Sequence, residues 1–463
     1  MSDKDLQLAF KVLRAKQEPY NDLFKYYDGD QPLVYTAQRL KEIFKDLDAY
    51  FAENWCSVVV DSTRDRINLR EINVEGSAQK RWKEIWEASE ISLESDDVHE
   101  ATLVAGEGYF IAWPDEDDVM QGYHNDPRLV HLFYYKSEPR KKKFAAKWWV
   151  DEGEKLSMTL YYADHLEYYR SRNKAKNVTE FSSLEPLART PTAENPYGEV
   201  PVFHFRLGQR KVKSDLKNVI PIQNGINKLL TDMMVAAEFG AFKQRYVISN
   251  ATINGKLKNA PSEIWDLPAG DGVGQQTQAG QFDATPLENY LKGIDDLATA
   301  ISSITRTPKH YFFSIGSNLS GEALIAMESP LNKKAGDRID RFAPPWKQAT
   351  LFMLKASGET VKPEQVTPMF DKPETVQPYT QAQTRQLNVT AGMPLVTILR
   401  EEGKSQAFID QMVKDKADED RQKQTNLANA MLEAERRFNA GDLTTISNQQ
   451  SGSNGKTQKV TNA

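Results

Sequence analysis

A single cysteine, Cys56, stands in 463 residues. That excludes a disulfide framework and every multi-cysteine zinc or iron–sulfur site. Its neighbours Trp55 and Val58 read as core, so a packed thiol is expected and not a nucleophile. Histidine is scarce too: six residues, no two within five positions of each other. His124 and His131, the nearest pair, straddle a turn without a third residue at ligand spacing, so no metal and no cofactor is expected. There is no Gly-x-x-x-x-Gly-Lys-Ser/Thr loop, no His-Glu-x-x-His and no Gly-x-Ser-x-Gly elbow. Gly270-Asp271-Gly272-Val273-Gly274 follows Pro268 and opens no amphipathic helix, which makes it a loop tip. Long apolar runs are missing as well: Val58-Val59-Val60 falls far short of the roughly 20 residues a membrane span needs. Met1 to Asp5 lacks the apolar core of a signal peptide, so the expectation is a soluble, intracellularly made protein with no membrane partner.

What is present is a large, mildly acidic chain. Acidic residues number 65 against 59 basic, a net charge of −6. Static nucleic-acid binders gain much of their affinity from a basic face, so tight sequence-independent DNA binding is disfavoured. A surface past which DNA slides is permitted. Hydrophobic content of 40% is enough for a sizeable core, in about three domains or one elaborated assembly subunit.

The first hundred residues read as helices with short breaks. A short helix is expected over 6–14, then the Asp28-Gly29 turn, then helical spacing at Leu40, Ile43, Phe44 and Leu47 and at Trp82, Ile85 and Trp86. The run Ser57-Val58-Val59-Val60-Asp61 fits either a buried strand or the end of a helix. From 108 to about 205, short aromatic and β-branched segments (109–113, 129–135, 144–150, 158–162, 166–170) alternate with charged turns, a β-meander. Two of those turns are of opposite sign, Asp115-Glu116-Asp117-Asp118 and Glu138-Pro139-Arg140-Lys141-Lys142-Lys143. They are either complementary contacts between subunits or solvated turns. The acidic one lacks the glycine and spaced ligands of a calcium loop.

The most regular segment is 214–242. Leu216, Ile220, Ile226, Leu230, Met233 and Ala237 recur at helical spacing, while Asn218, Gln223, Asn224, Asn227, Lys228, Thr231 and Asp232 fill the other face. Pro221 either kinks this helix or sits in its first turn. A second helix is signalled by Thr285, Pro286 and Glu288 and runs to Thr307-Pro308. Between the two lies a small β-containing module, 245–283: a helix goes out and another returns. Their polar face could line a lumen or pack on its own domain; periodicity leaves both open. A further long helical pattern, 322–355, is interrupted by Pro330 and Pro344-Pro345. A proline-punctuated linker covers 362–378, then charged helices run over 381–439 with breaks at Gly392-Met393-Pro394 and Gly403. The segment from Gly441 has the composition of a disordered tail. No constellation for catalysis emerges, so no catalytic residue is assigned and no enzyme is expected.

The stretch Asn195-Pro196-Tyr197-Gly198-Glu199-Val200-Pro201-Val202-Phe203-His204-Phe205, leading through Ser214-Asp215-Leu216 into the 220–242 helix, resembles portal proteins of tailed double-stranded DNA bacteriophages. Tyr26-Tyr27-Asp28-Gly29, Arg306-Thr307-Pro308 and Asn318-Leu319-Ser320-Gly321-Glu322-Ala323-Leu324 are similar to the same family, in order and spacing over roughly 10–420. The resemblance implies an α+β portal-protein fold: wing (1–212), descending stem helix (213–243), small clip (244–284), returning stem helix (285–308), tunnel loop (309–321), wing return helix and linker (322–380), helical crown (381–440) and tail (441–463). It implies a homo-oligomeric ring of twelve at the unique capsid vertex of the virion. Double-stranded DNA would pass through it during packaging and ejection, with terminase, a head-completion adaptor, the major capsid protein and scaffold as partners.

The tunnel loop would be carried by Phe313, Ser314, Ile315, Gly316, Ser317, Asn318, Leu319, Ser320 and Gly321. Lys292, Lys309 and His310 are the candidate channel cations, and Arg245, Lys256 and Lys258 the candidate clip contacts. Neutral hydroxyls and amides in the loop would not clamp phosphates, and a twelve-fold ring of such subunits would carry about −72, favouring sliding. Rival readings are a head-to-tail adaptor or scaffold component, for which the chain is long, and a metal-dependent nuclease or terminase-like enzyme, for which the phosphate loop is lacking.

Overall fold

The computed structural model describes residues 2–32, 52–178, 188–189, 192–208, 211–241, 243, 245–249, 265, 267, 277–313, 320–374, 378–402, 404 and 406–439. The chain divides into two units, Met1–Val376 and Gln377–Ala463.

The first unit opens with α1 (Ser2–Asp28), far longer than the 6–14 segment the spacing predicts. Ala9, Phe10 and Leu13 are buried, Tyr26 is buried two turns past Pro19, and Gly29 ends the helix at φ +85°. The helical pattern expected at Leu40 to Leu47 lies outside the described residues. The ambiguous Val58–Val60 run is helical, in α2 (Trp55–Arg64). Asn54 decides it by accepting the Ser57 N–H at 3.3 Å, and Trp55, Val59, Val60 and Thr63 then fall on one buried face. Strand β1 (Leu69–Val74), α3 (Ala78–Ala88) and α4 (Ile91–Ala105) follow.

The meander is present but belongs to two sheets. β2 (Glu107–Pro114), β3 (Met120–Asn125) and, later, β10 (Val202–Arg206) form one sheet in the order β10-β2-β3. β4 (Val130–Tyr134), β5 (Lys142–Val150), β6 (Lys155–Tyr161) and β7 (His165–Lys174), with the two-residue β8 (Ala188–Arg189) and β9 (Ala193–Glu194), form the other. The pairs are antiparallel. Strand β3 carries Gly122 and three polar residues among its six, which hides it from a β-propensity reading.

Helix α5 (Ile220–Ala241) goes out, strands β11 (Arg245–Ile248) and β12 (Gln278–Gln281) pair beyond it, and α6 (Glu288–Thr305) returns. The expected capping box at Thr285 does not form: Leu287 is the N-cap and makes no side-chain cap bond. Helix α7 (Gly321–Ala356) runs for 36 residues straight through Pro330, Pro344 and Pro345, where the prolines predict interruptions. Each interior proline costs about 3 kcal/mol, but Leu331, Phe342, Trp346, Phe352 and Met353 are buried along its length and hold it in one piece. The expected linker contains β13 (Val366–Phe370), antiparallel to β1, with Pro368 opposite Ile72. Both strands of a two-stranded ribbon are edges, so a proline is tolerated there.

Helix α7 closes the main core against α4. Inside it sits His99, fully buried, its ring stacked on Phe342 at 4.8 Å between centroids. The Trp346 indole N–H donates to His99 Nε2 at 3.0 Å, so Nε2 is the acceptor and Nδ1 carries the proton it gives to the Ile67 carbonyl at 3.1 Å.

The second unit holds α8 (Pro378–Thr390), α9 (Leu395–Glu401) and α10 (Gln406–Asn439), with Gly392 at φ +90° in the first break. Gly403 and the segment from Gly441 lie outside the described residues.

Burial pushes the His99 pKa from 6.5 down to about 3. Between those values the unfolded chain binds a proton that the folded one does not, so stability from this group is complete above pH 6.5 and is lost as pH falls toward 3. The melting temperature should therefore drop on acidification. A His99→Gln variant should be less stable at pH 7 yet show a shallower slope with pH.

Candidate functional site

The out-and-back hairpin is built on reciprocal glycine contacts. A Cβ on Gly225 would lie 3.4 Å from Leu297, and one on Gly293 would lie 3.3 Å from Leu229. Each helix thus sets a leucine over the other's glycine, which lets the two backbones approach closely. Farther out, Gly240 faces Ala284 at 3.5 Å. The antiparallel sense continues into β11 and β12, where Arg245 is opposite Gln281 and Ile248 opposite Gln278. The Tyr246 ring lies over Gly280, where an added Cβ would come within 2.5 Å of it. Helix α5 has 22 residues and spans roughly 33 Å at 1.5 Å per residue. Pro221 is in its first turn, where the missing N–H has no helical acceptor to lose.

The amide face of α5, left open between lumen and own domain, is partly decided at its base. Gln223 is fully buried: its Oε1 accepts the Trp55 N–H at 2.9 Å, and its Nε2 donates to the Glu53 carbonyl at 2.7 Å and to Asn227 Oδ1 at 3.1 Å. Asn227 accepts the Glu53 N–H at 3.1 Å, and Asn224 accepts the Tyr26 hydroxyl at 2.8 Å. These three amides therefore bind the chain's own N-terminal part, at Tyr26 in α1 and at Glu53 and Trp55. Lys228 and Asp232 pair with each other one turn on, at 2.5 Å.

The return helix ends where Arg306 adopts φ 61° and Thr307 and Pro308 turn the chain. Phe312 and Phe313 then pack on Trp55 with centroids at 5.5 and 5.1 Å. Of the expected tunnel-loop residues, Phe313, Ser320 and Gly321 are described, while 314–319 lie outside the described residues. Ser320 caps α7 by accepting the Ala323 N–H at 3.2 Å, and Gly321 is its first residue.

The two chain ends flanking 314–319 meet at one arginine. Arg66 donates to the Tyr311 hydroxyl at 2.8 Å on one side, and on the other to Asn332 Oδ1 at 3.0 Å, with Glu328 at 3.2 Å. It also holds the Ser62 carbonyl at 3.1 Å, at the end of α2. Sequence reasoning missed Arg66 because its partners lie more than two hundred positions away.

Of the candidate cations, Lys292 is exposed on α6. Lys309 is paired with Asp295 at 2.8 Å, and His310 Nε2 lies 3.8 Å from Glu328. Arg245 is exposed and stacks over Trp265 at 5.7 Å, while Lys256 and Lys258 lie outside the described residues. Among the described residues, no group of three His, Cys, Asp or Glu side chains is placed to hold a metal ion. His131 meets Tyr109 at 3.2 Å, and the Cys56 thiol is buried with its pKa pushed up to about 12. No helix among the described residues is long and apolar enough to cross a membrane.

Removing Arg66 strips three acceptors of one donor in a largely buried setting, a loss of about 1–3 kcal/mol. Arg66→Ala should lower the denaturant midpoint and raise hydrogen exchange at 309–311 and 328–332 together. Arg66→Lys, with the charge but not the planar fork, should recover less than half of the loss.

No curated protein matches the chain. One solved structure similar to it is the neck of a native GTA particle computed with C12 symmetry, at 10% sequence identity and a TM-score of 0.45, over 81% of this chain and 96% of that one. The family model described as phage portal protein, SPP1 Gp6-like, matches residues 14–424. By that match, which spans most of its length, the chain belongs to the SPP1 Gp6-like family of phage portal proteins.

Proposed function

We propose that this chain assembles into a ring of twelve at the unique vertex of a phage capsid, through which double-stranded DNA is packaged and later ejected. Membership of a structural, non-enzymatic family supports this reading, and one observation on the hairpin carries the ring. Ile248, Leu291 and Ile304, on the out-and-back elements, are 61, 54 and 51% exposed, and Phe282, just past β12, is 60% exposed. Four large apolar side chains left in water on one slender hairpin lose the stabilisation that burial gives, and copies packed side by side recover it. In this reading α5 and α6 are the stem, the β11–β12 end is the clip that meets terminase and then the head-completion adaptor, and 309–321 is the loop that touches DNA. Residues 1–212 and 322–380 are the wing toward capsid protein and scaffold. The separate unit beginning at Gln377, with its charged helices, fits the crown.

The pairing of Lys309 with Asp295 and the nearness of His310 to Glu328 bear on the channel. Cations with carboxylates beside them grip phosphate weakly, which suits passage. Lys292 is the cation from which a contact with moving DNA would be expected first.

Native mass spectrometry with negative-stain class averages tests the ring. Twelve-subunit particles with a central channel are expected, and Leu291→Asp should reduce their yield at least tenfold with the helical signal unchanged. A chain that stays monomeric and hydrolyses ATP or cuts DNA would overturn the proposal.

A further inference from the structure

Two features of opposite charge in the first unit each hold three charges that make no ion pair among the described residues. One is the β2–β3 turn. The Asp115 carboxylate is used internally: it accepts the backbone N–H groups of Asp117 at 3.0 Å and Val119 at 2.9 Å and the Gln121 amide at 3.2 Å. Asp118 sits at φ 60°, a conformation that Asp adopts more readily than most residues. The turn is thereby shaped by its own hydrogen bonds. Glu116, Asp117 and Asp118 stand exposed on it, with no ion pair among the described residues.

The other feature is a groove of about 460 Å³ whose lining includes Arg140, Lys142, Arg206 and Arg341, with Asp340 as its one acid. Arg341 is paired with Asp337 at 3.0 Å. Among the described residues the other three cations have no carboxylate partner. Arg140 is exposed; half-buried Arg206 stacks on Tyr134 at 5.2 Å. Lys142 is also half-buried, with the Val200 carbonyl at 3.1 Å and the Phe203 ring at 4.1 Å beside its ammonium. Burial, incompletely offset by Glu199, lowers its pKa to about 8. Glu199 forms its ion pair with Lys355 at 3.2 Å, and an anion brought into the groove relieves the cost of a partly desolvated Lys142 ammonium.

The turn does not fill its own groove along its length. β10 pairs with β2 so that Arg206 lies opposite Glu107, at the end of β2 away from the turn. Eight residues at about 3.3 Å separate Glu107 from Asp115, roughly 26 Å. A closed ring needs what this subunit displays: two different patches that complement each other from copy to copy. The turn offers three carboxylates and the groove three cations, none of them in an ion pair among the described residues.

We propose that the Glu116–Asp118 turn of one copy seats in the Arg140–Lys142–Arg206 groove of the next copy, an electrostatic latch between neighbouring wings. This rests on the ring reading above. The charged contact sets the order and register of neighbours, and the apolar hairpin faces supply most of the area.

Charge exchange tests it on the full chain. Glu116→Lys with Asp117→Lys makes one variant; Arg140→Glu with Arg206→Glu makes the other. Each alone should form rings about tenfold less well or worse than the wild type by native mass spectrometry. Mixed in equal amounts they should form rings again with the two masses in equal number, since every junction in an alternating ring then pairs opposite charges. A chain carrying both pairs should assemble by itself. Circular dichroism and melting temperature check folding, and the neutral variants Glu116→Gln with Asp117→Asn and Arg140→Gln with Arg206→Gln should show the same loss in milder form. Rings from every variant, or no rescue on mixing, would overturn the latch and leave the ring standing. A wild-type chain that never forms rings would bring down the ring reading itself. Rings that respond to inorganic phosphate through Arg140 and Arg206 but ignore the turn would mean that the groove takes a different anion, and the latch would be wrong.

Discussion

The placement of the hairpin depends on one buried amide. Gln223 has no access to water and must find all its partners inside the protein, and it finds them on the backbone at Glu53 and Trp55 and on Asn227. Hydrophobic contact alone would let a helix slide or roll, because apolar packing has little directionality. Three hydrogen bonds of fixed geometry do not. The long helix therefore starts in a set direction, and the strands Arg245–Ile248 and Gln278–Gln281 beyond its far end are aimed from this point.

Trp55 extends that constraint. Its N–H is held by Gln223, while its ring receives Phe312 and Phe313, the residues that end the returning segment. The base of the outgoing helix and the end of the returning one are thus fixed to the same residue. Arg66, at the other end of helix Trp55–Arg64, ties Tyr311 to Glu328 and Asn332. The short stretch from Glu53 to Arg66, most of it one helix, consequently holds three chain segments that are distant in sequence.

Charge is distributed differently from packing. Buried ions are paired closely, as Lys334 and Arg338 are around Asp215 at 3.0 and 2.9 Å, while the acidic turn and the basic groove each gather charges that make no ion pair among the described residues. Segregating like charges in two separate patches is unfavourable within an isolated subunit and becomes favourable when a second copy supplies the opposite sign.

The two-helix hairpin with strands between, the aromatic meander, the breaks in the C-terminal helices and the family are legible in the residues alone, because each rests on local periodicity, on Gly and Pro, or on short motifs in order. The sequence also exposed the two oppositely charged turns, though not that Lys142 and Arg206 share a groove. Folding contacts were needed to make Val58–Val60 helical, to keep three prolines inside one unbroken helix, to draw a strand from the 362–378 linker onto Leu69–Val74, and to turn Gln223, Asn224 and Asn227 inward. Those outcomes depend on burial against residues far away in the chain. Local propensity differs by about 1 kcal/mol or less for most residues, and burying one large side chain contributes about 1.5–3 kcal/mol, so where the two disagree the distant contact wins.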